Sequence, residues 1–360
     1  MNLTYPSFDL WEYLQKTDKT VVMYGMGNGA DKILRVLDAY GIEVADFFAS
    51  DGFVRGHAFH GKTVLSYSAV KEKYGADRII VLLSFATSLP SVMADIKEIA
   101  DECELYAPDV PVCGDTLFCR SFAEEKREDL ERAYALFADD ESRRIFEEVL
   151  AYKLSGRIEH LLRAENDKDA VYRSLLHATG YCAAMDLGAY NGDTVRELLG
   201  YAEGLQTVYA IEPDRRNFRK LSEYAETLAG RVNIHTVQAA AWSHETRLSF
   251  GDEGNRNSGI CASGKGVKTR DVPAISPDEV LDGRSVDYIK YDVEGAEREA
   301  IEGSRETILR YRPELLVSAY HRSEDLFALP LQIHEICPAY RLYLRRYPYI
   351  PAWDLNLICI

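Results

Sequence analysis

Two hydrophobic patterns alternate along the chain. Short β-type runs at residues 20–24, 44–48, 79–84 and 103–106 are separated by stretches with helical apolar spacing, such as Ile33, Leu34 and Leu37 ahead of the stop at Gly41. Strands alternating with helices predict a parallel sheet, here a small Rossmann-like α/β domain over residues 1–113. Strand runs then disappear. Leu130, Ala133, Leu136 and Phe137 form one helical stripe and Ile145, Phe146, Val149 and Leu150 another, with Asp139 and Asp140 between them as turn or N-cap candidates. Residues 114–179 therefore read as a helical connector that packs two α/β units together. Alternation resumes over 180–360, with strands at 207–212, 232–237, 286–293 and 314–320 and helices at 193–199, 215–228 and from Ala296. Two runs with period-2 alternation, 340–347 and 355–360, suit an antiparallel hairpin at the sheet edge. A hairpin or loop insertion is expected over 242–259.

A chain of 360 residues is comfortable for two domains. The net charge of −16 argues against nucleic acid as a partner, because binding a phosphate backbone needs a basic surface. No apolar run approaches a membrane span, and the N-terminus MNLTYPSFDL lacks the basic and apolar regions of a signal peptide, so a cytoplasmic protein is expected. The seven cysteines are scattered without a CxxC pair, as reduced thiols would be, and no metal ligand is assigned.

The stretch MDLGAYNGDT, residues 185–194, reads as a strand end, a glycine turn and a helix start. Its acid, Asp186, precedes the first glycine. A dinucleotide would bring a pyrophosphate to such a turn, and a neighbouring carboxylate repels it. S-adenosyl-L-methionine brings a sulfonium and an ammonium, which a carboxylate suits. Gly188, Ala189, Tyr190, Asn191, Gly192 and Thr194 then form the expected donor-binding turn. Glu212 ends the next strand, before Pro213 and roughly 24 residues past Gly188, close to the ~20-residue spacing at which an acid grips a ribose diol. Gln238, Ala239 and Ala240 lie at a third strand tip, where an adenine ring would rest. The run VDYIKYDV passes directly into Glu294-Gly295-Ala296-Glu297, which places Asp292 and Glu294 at the crevice beyond the strand ends.

The run DLGAYNGDT, then IEP, then IKYDVEGAE with a downstream PELL, resembles the FkbM-type family of S-adenosylmethionine-dependent methyltransferases across the C-terminal half. That resemblance implies a class I methyltransferase fold, a seven-stranded Rossmann-like sheet ending in an antiparallel hairpin. It also implies S-adenosyl-L-methionine as cofactor and O-methylation of a saccharide or secondary-metabolite acceptor. One position departs from the wider methyltransferase pattern: Tyr190 stands where the commoner acid-x-Gly-x-Gly-x-Gly motif has its middle glycine.

Methyl transfer to an aliphatic hydroxyl needs alignment and a base. Asp292 is the first candidate, because strand alternation puts it on one face with Lys290 at the crevice; it could equally hold the donor. His321, directly after the next strand, is the second. Glu294 is either a further catalytic group or an acceptor for backbone N–H groups at the helix start. Two other readings compete. The turn Gly25-Met26-Gly27-Asn28-Gly29-Ala30, with Asp51 near the second strand tip, fits a relaxed dinucleotide fingerprint and would suit an NAD-dependent sugar-nucleotide oxidoreductase or epimerase. Glycines that only permit a tight turn and close helix packing would explain it as well. A non-catalytic donor-binding module of a glycan-synthesis system is the other.

Overall fold

The apolar runs become two sheets in the computed structural model, which describes residues 3–54, 56–251 and 269–360. In the first sheet five parallel strands lie in the order Leu65–Ser66, Asp46–Ala49, Thr20–Tyr24, Ile79–Leu83, Glu104–Tyr106. Its fourth strand, Ile79–Leu83, is buried throughout, as a strand covered by helices on both faces must be. Packing accounts for Gly25 and Gly29 of the first turn, and a φ of +95° for Gly27. A Cβ on Gly29 would stand 2.1 Å from the Ser84 carbonyl oxygen, so only glycine lets the Asn28–Ala39 helix come this close to the Ile79–Leu83 strand. The Phe85 ring covers Gly25. Asp51 accepts a bond from the Ser68 amide at 3.3 Å, at the start of the next helix.

The second sheet has seven strands in the order Asn233–Val237, Thr207–Ile211, Ala183–Leu187, Tyr288–Tyr291, Glu314–Ser318, Leu355–Cys359, Leu342–Arg346. The first five run parallel, and the final strand, Leu355–Cys359, inserts antiparallel to both its neighbours. Alternate residues serve opposite faces. Met185, Leu187, Ile289 and Leu315 pack with Ile301, Ile308 and Leu329 on one side; Ala184, Val208, Ala210 and Leu316 join Val195 and Leu221 on the other.

The expected antiparallel hairpin stands at the sheet edge, and although the Leu342–Arg346 strand alternates polar and apolar residues, all of it is buried. Connector helices cover it: Asp139 caps the Asp140–Ser155 helix and also receives Arg345 at 2.5 Å, while Ser142 accepts the Leu344 amide. The Arg346 guanidinium donates to the Leu161 and Tyr349 carbonyls. An arginine can sit inside a protein when carbonyls and carboxylates replace its water.

The same helix ties in the first sheet, through the buried Lys153–Asp109 pair at 2.9 Å. From there residues 107–116 run across to the second sheet. Cys113 donates its amide to the His321 carbonyl at 2.8 Å, and the Ser323 hydroxyl bonds the Thr116 carbonyl at 2.6 Å. Of the insertion expected over 242–259, strand Thr246–Gly251 pairs antiparallel with Thr269–Ile275, and residues 252–268 lie outside the described residues. No helix among the described residues is long and apolar enough to cross a membrane.

Gly188 is where the Ala183–Leu187 and Tyr288–Tyr291 strands meet most tightly. Its φ is +85°, and a Cβ would stand 1.9 Å from the Asp292 carbonyl oxygen. Gly188→Ala should therefore destabilise the protein by about 3 kcal/mol or more, read from urea unfolding. A loss below about 1 kcal/mol would mean that this junction yields easily.

Candidate active site

Beyond the carboxyl ends of the second sheet's parallel strands lies a cavity of about 450 Å³. Strand ends carry its floor: Gly188 and Tyr190, Glu212 and Pro213, Asp292 to Glu294, and Tyr320 with His321. Residues distant in sequence close the sides, namely Val112, Lys168, Tyr349, Trp353 and Asp354. Seven carboxylates, two lysines and one histidine line it among the described residues. A cationic ligand suits such a lining, and a pyrophosphate does not.

Glu212 is only 6 % exposed. Its two oxygens accept the Tyr190 amide at 2.9 Å and the Asp214 amide at 2.7 Å. Burial pushes its pKa up to about 8 even though those amides favour the charged form. The first of them comes from a residue with φ +47°, the left-handed region. That conformation explains why glycine is common at this point of the motif, and how Tyr190 can stand there when the turn is otherwise well anchored.

Asp186 lies beneath the turn and does not line the cavity. It pairs in register with Lys290 on the neighbouring strand, so both side chains rise from the same face. The Thr194 hydroxyl donates to it, and the Lys290 ammonium lies 3.8 Å from its other oxygen. Lys290 also holds Asp292 at 3.2 Å. Burial raises the Asp186 carboxyl pKa. For Asp292 burial acts the same way, but Lys290 and His321 outweigh it and hold the carboxyl below its usual range.

His321 is 1 % exposed, with Nδ1 2.9 Å from Glu297 and Nε2 3.6 Å from both Asp292 and Glu294. These are ion-pair contacts away from the ring N–H directions. Burial alone would lower the pKa of the ring; Glu297, Glu294 and Asp292 overcome it and push the value up to about 10. These neighbours favour the protonated ring, which is a poor base. Glu294 is lifted to about 7, by burial first, with His321 opposing and Asp292 adding. Its φ of +53° is a second left-handed residue on the cavity wall.

The structure gathers Gly188, Tyr190, Thr194, Glu212, Pro213, Ala240, Asp292, Glu294 and His321 from the sequence-predicted set around this cavity. Ala189 turns into the core, Asn191 and Gly192 fall behind the turn with Gly192 against the Tyr224 ring, and Gln238 and Ala239 lie off the lining. Sequence reasoning missed Lys168, Glu197, Trp353, Asp354 and Val112, which also line it. Trp353 and Asp354 had a signal, the turn PYIPAWD after a strand. Val112 had none. Among the described residues no group of three or more His, Cys, Asp or Glu side chains is arranged to hold a metal ion.

Residues 186–351 match the model of the methyltransferase FkbM domain. No curated protein matches the sequence. Among solved structures the chain is similar to a methyltransferase FkbM from Methylobacillus flagellatus KT, at 20% identity and TM-score 0.75 over 98% of this chain and 94% of that one. It also matches a precorrin-6y C5,15-methyltransferase from Geobacter metallireducens GS-15 (13% identity, TM-score 0.33, 54% of this chain, 91% of that one). A fibrillarin pre-rRNA processing protein from Methanococcus jannaschii matches at 17% identity and TM-score 0.32, over 53% of this chain and 75% of that one. The motif residues, the mixed seven-stranded sheet and the matched segment agree: residues 186–351 form a methyltransferase FkbM domain, and that family supports a methyltransferase activity.

Proposed function

We propose that the protein is an S-adenosyl-L-methionine-dependent O-methyltransferase acting on a hydroxyl of a saccharide or secondary-metabolite acceptor. The observation that carries this reading is the carboxylate-rich cavity at the tips of three adjoining strands, with Glu212, Gly188 and Asp292 on its floor. The residues present fit such a donor. Gly188 keeps the floor free of a side chain, Glu212 offers a buried carboxylate for a diol, and Asp292 stays ionised beside the cavity to meet positive charge. When bound, the donor supplies an electrophilic methyl group on a sulfonium. Glu212 and the Gly188–Tyr190 turn hold and orient, Asp292 and Lys290 fix the charge balance below, and Glu294 takes the proton from the acceptor hydroxyl. Glu294 replaces His321 and Asp292 as the preferred base, because its pKa lies near neutrality and theirs do not. Taking 113 and 179 as the domain limits, Val112 from the first unit and Lys168 from the connector wall the acceptor side.

Titration with S-adenosyl-L-homocysteine by calorimetry tests the cofactor, with NAD and a uridine-diphosphate sugar in parallel. Binding of the first alone supports the reading; binding of NAD alone moves the function to the Gly25 turn. Asp186→Ala should weaken S-adenosyl-L-homocysteine roughly 10- to 100-fold, acting through Lys290 and Thr194, which lose their shared carboxylate. Unchanged affinity in the folded variant would remove Asp186 from the donor site.

A further inference from the structure

Glu297 closes the EGAE run at the start of the helix that follows the Glu294 turn. Its carboxylate is 1 % exposed. One oxygen, Oε1, accepts the Val293 amide at 2.9 Å and the Gly295 amide at 3.5 Å, and lies 2.9 Å from His321 Nδ1. A single buried oxygen therefore joins the turn that carries Glu294 to the loop after the Glu314–Ser318 strand. The other nitrogen of His321 faces Asp292 and Glu294, each at 3.6 Å.

Carboxylate oxygens thus lie within 3.6 Å of both ring nitrogens. In a site closed to water, a positive charge on the ring is attracted by each of them, whereas a neutral imidazole would leave them without a counter-charge. The surroundings favour the charged ring. Asp292 and Glu294 face the ring from the turn and Glu297 from the following helix. Asp325, at the start of the Asp325–Ile336 helix, receives the Arg322 amide at 2.7 Å, and burial pushes its carboxyl up to about 8, so it adds little charge at neutrality. Against the three acids stand Lys290 behind Asp292 and, from the Asn28–Ala39 helix, Lys32, whose charge acts on Glu294. Tyr320 packs its ring on His321 at 4.2 Å, and Cys113 fixes the His321 carbonyl.

We infer that Glu297 is a positioning residue that holds His321 as an imidazolium and pins the Glu294 turn, leaving Glu294 as the proton acceptor at the cavity. The last clause rests on the hydroxyl-methylation reading above; the ionisation of His321 does not. Such an imidazolium steadies the Glu294 carboxylate after it has ionised, and never itself removes the substrate proton.

The ionisation can be read without donor or acceptor. In protein labelled with ¹⁵N-histidine, the His321 ring signals, assigned by their loss in His321→Asn, should keep imidazolium shifts from pH 6 to 8.5. In Glu297→Gln the midpoint should fall by about two pH units or more, and Glu297→Asp should restore most of it. A ring already neutral at pH 7 in the unaltered protein would overturn the inference, as would a midpoint unmoved in Glu297→Gln. If Glu297→Gln does not fold, the unaltered protein and Glu297→Asp decide the matter by the same two criteria. S-adenosyl-L-homocysteine should bind the folded Glu297→Gln variant within about threefold of the parent. Failure of the parent to bind it, with the ring titrating as expected, would sink the donor reading and leave the role of Glu297 standing.

Discussion

Glu212→Ala will bind S-adenosyl-L-homocysteine about 100-fold more weakly than the unaltered protein, the largest loss expected of any single change at the donor end. The carboxylate does two things at once. It accepts the Tyr190 and Asp214 amides, and those bonds shape both the left-handed turn at Tyr190 and the start of the Arg215–Thr227 helix. Protonated, as burial favours, the carboxyl can still both donate to and accept from the diol of the proposed ligand. Alanine removes both functions and leaves two amides without their partner. Glu212→Gln separates the two effects: its amide oxygen can still serve one N–H, so its loss should be nearer 10-fold. Calorimetry gives the affinities, and thermal unfolding shows whether the turn survives. Should Glu212→Ala stay folded and bind within threefold of the parent, the ribose-gripping role is wrong and the donor lies elsewhere in the cavity.

Local pattern made much of this fold legible. The strand runs, the glycine turns and the acids at 212, 292 and 294 all follow from residues close together in sequence, because each strand end and the turn after it form one local unit. What escaped detection depends on distant contacts. The alternation in Leu342–Arg346 is that of a half-wet edge strand, but Arg345 and Arg346 are enclosed by a connector nearly 200 residues earlier, at Asp139, Ser142 and Leu161. Val112 reaches the cavity only because Lys153 and Asp109 pair and the Cys113 amide meets His321. Asp186 shows the limit of a motif. The acid is where the pattern puts it, but its register opposite Lys290 sends it under the turn, so it works through neighbours. His321 shows the same for chemistry: its place after the strand was readable, but not the three carboxylates that charge it.

Glu294→Gln should lower the rate of methyl transfer by about 10²- to 10⁴-fold while leaving S-adenosyl-L-homocysteine affinity within about threefold. Glutamine keeps the shape and cannot take a proton. In the unaltered protein the rate should rise with pH through a limb near 7, where burial has placed this carboxyl, and the limb should vanish in the variant. Stability should move the opposite way. A folded pKa raised above the usual 4.5 means that the native state keeps a proton that the unfolded chain has released. The resulting contribution is full below about 4.5 and is lost as pH rises through about 7. Glutamine resembles the protonated acid at every pH, so urea unfolding should show Glu294→Gln gaining on the parent between pH 5.5 and 8.5. The left-handed backbone at Glu294, φ +53°, adds a second cost at the same residue, beside the burial of its carboxyl. A parent whose stability relative to the variant does not change across that range would show that Glu294 titrates as an ordinary exposed acid, and the base would have to be sought at Asp292.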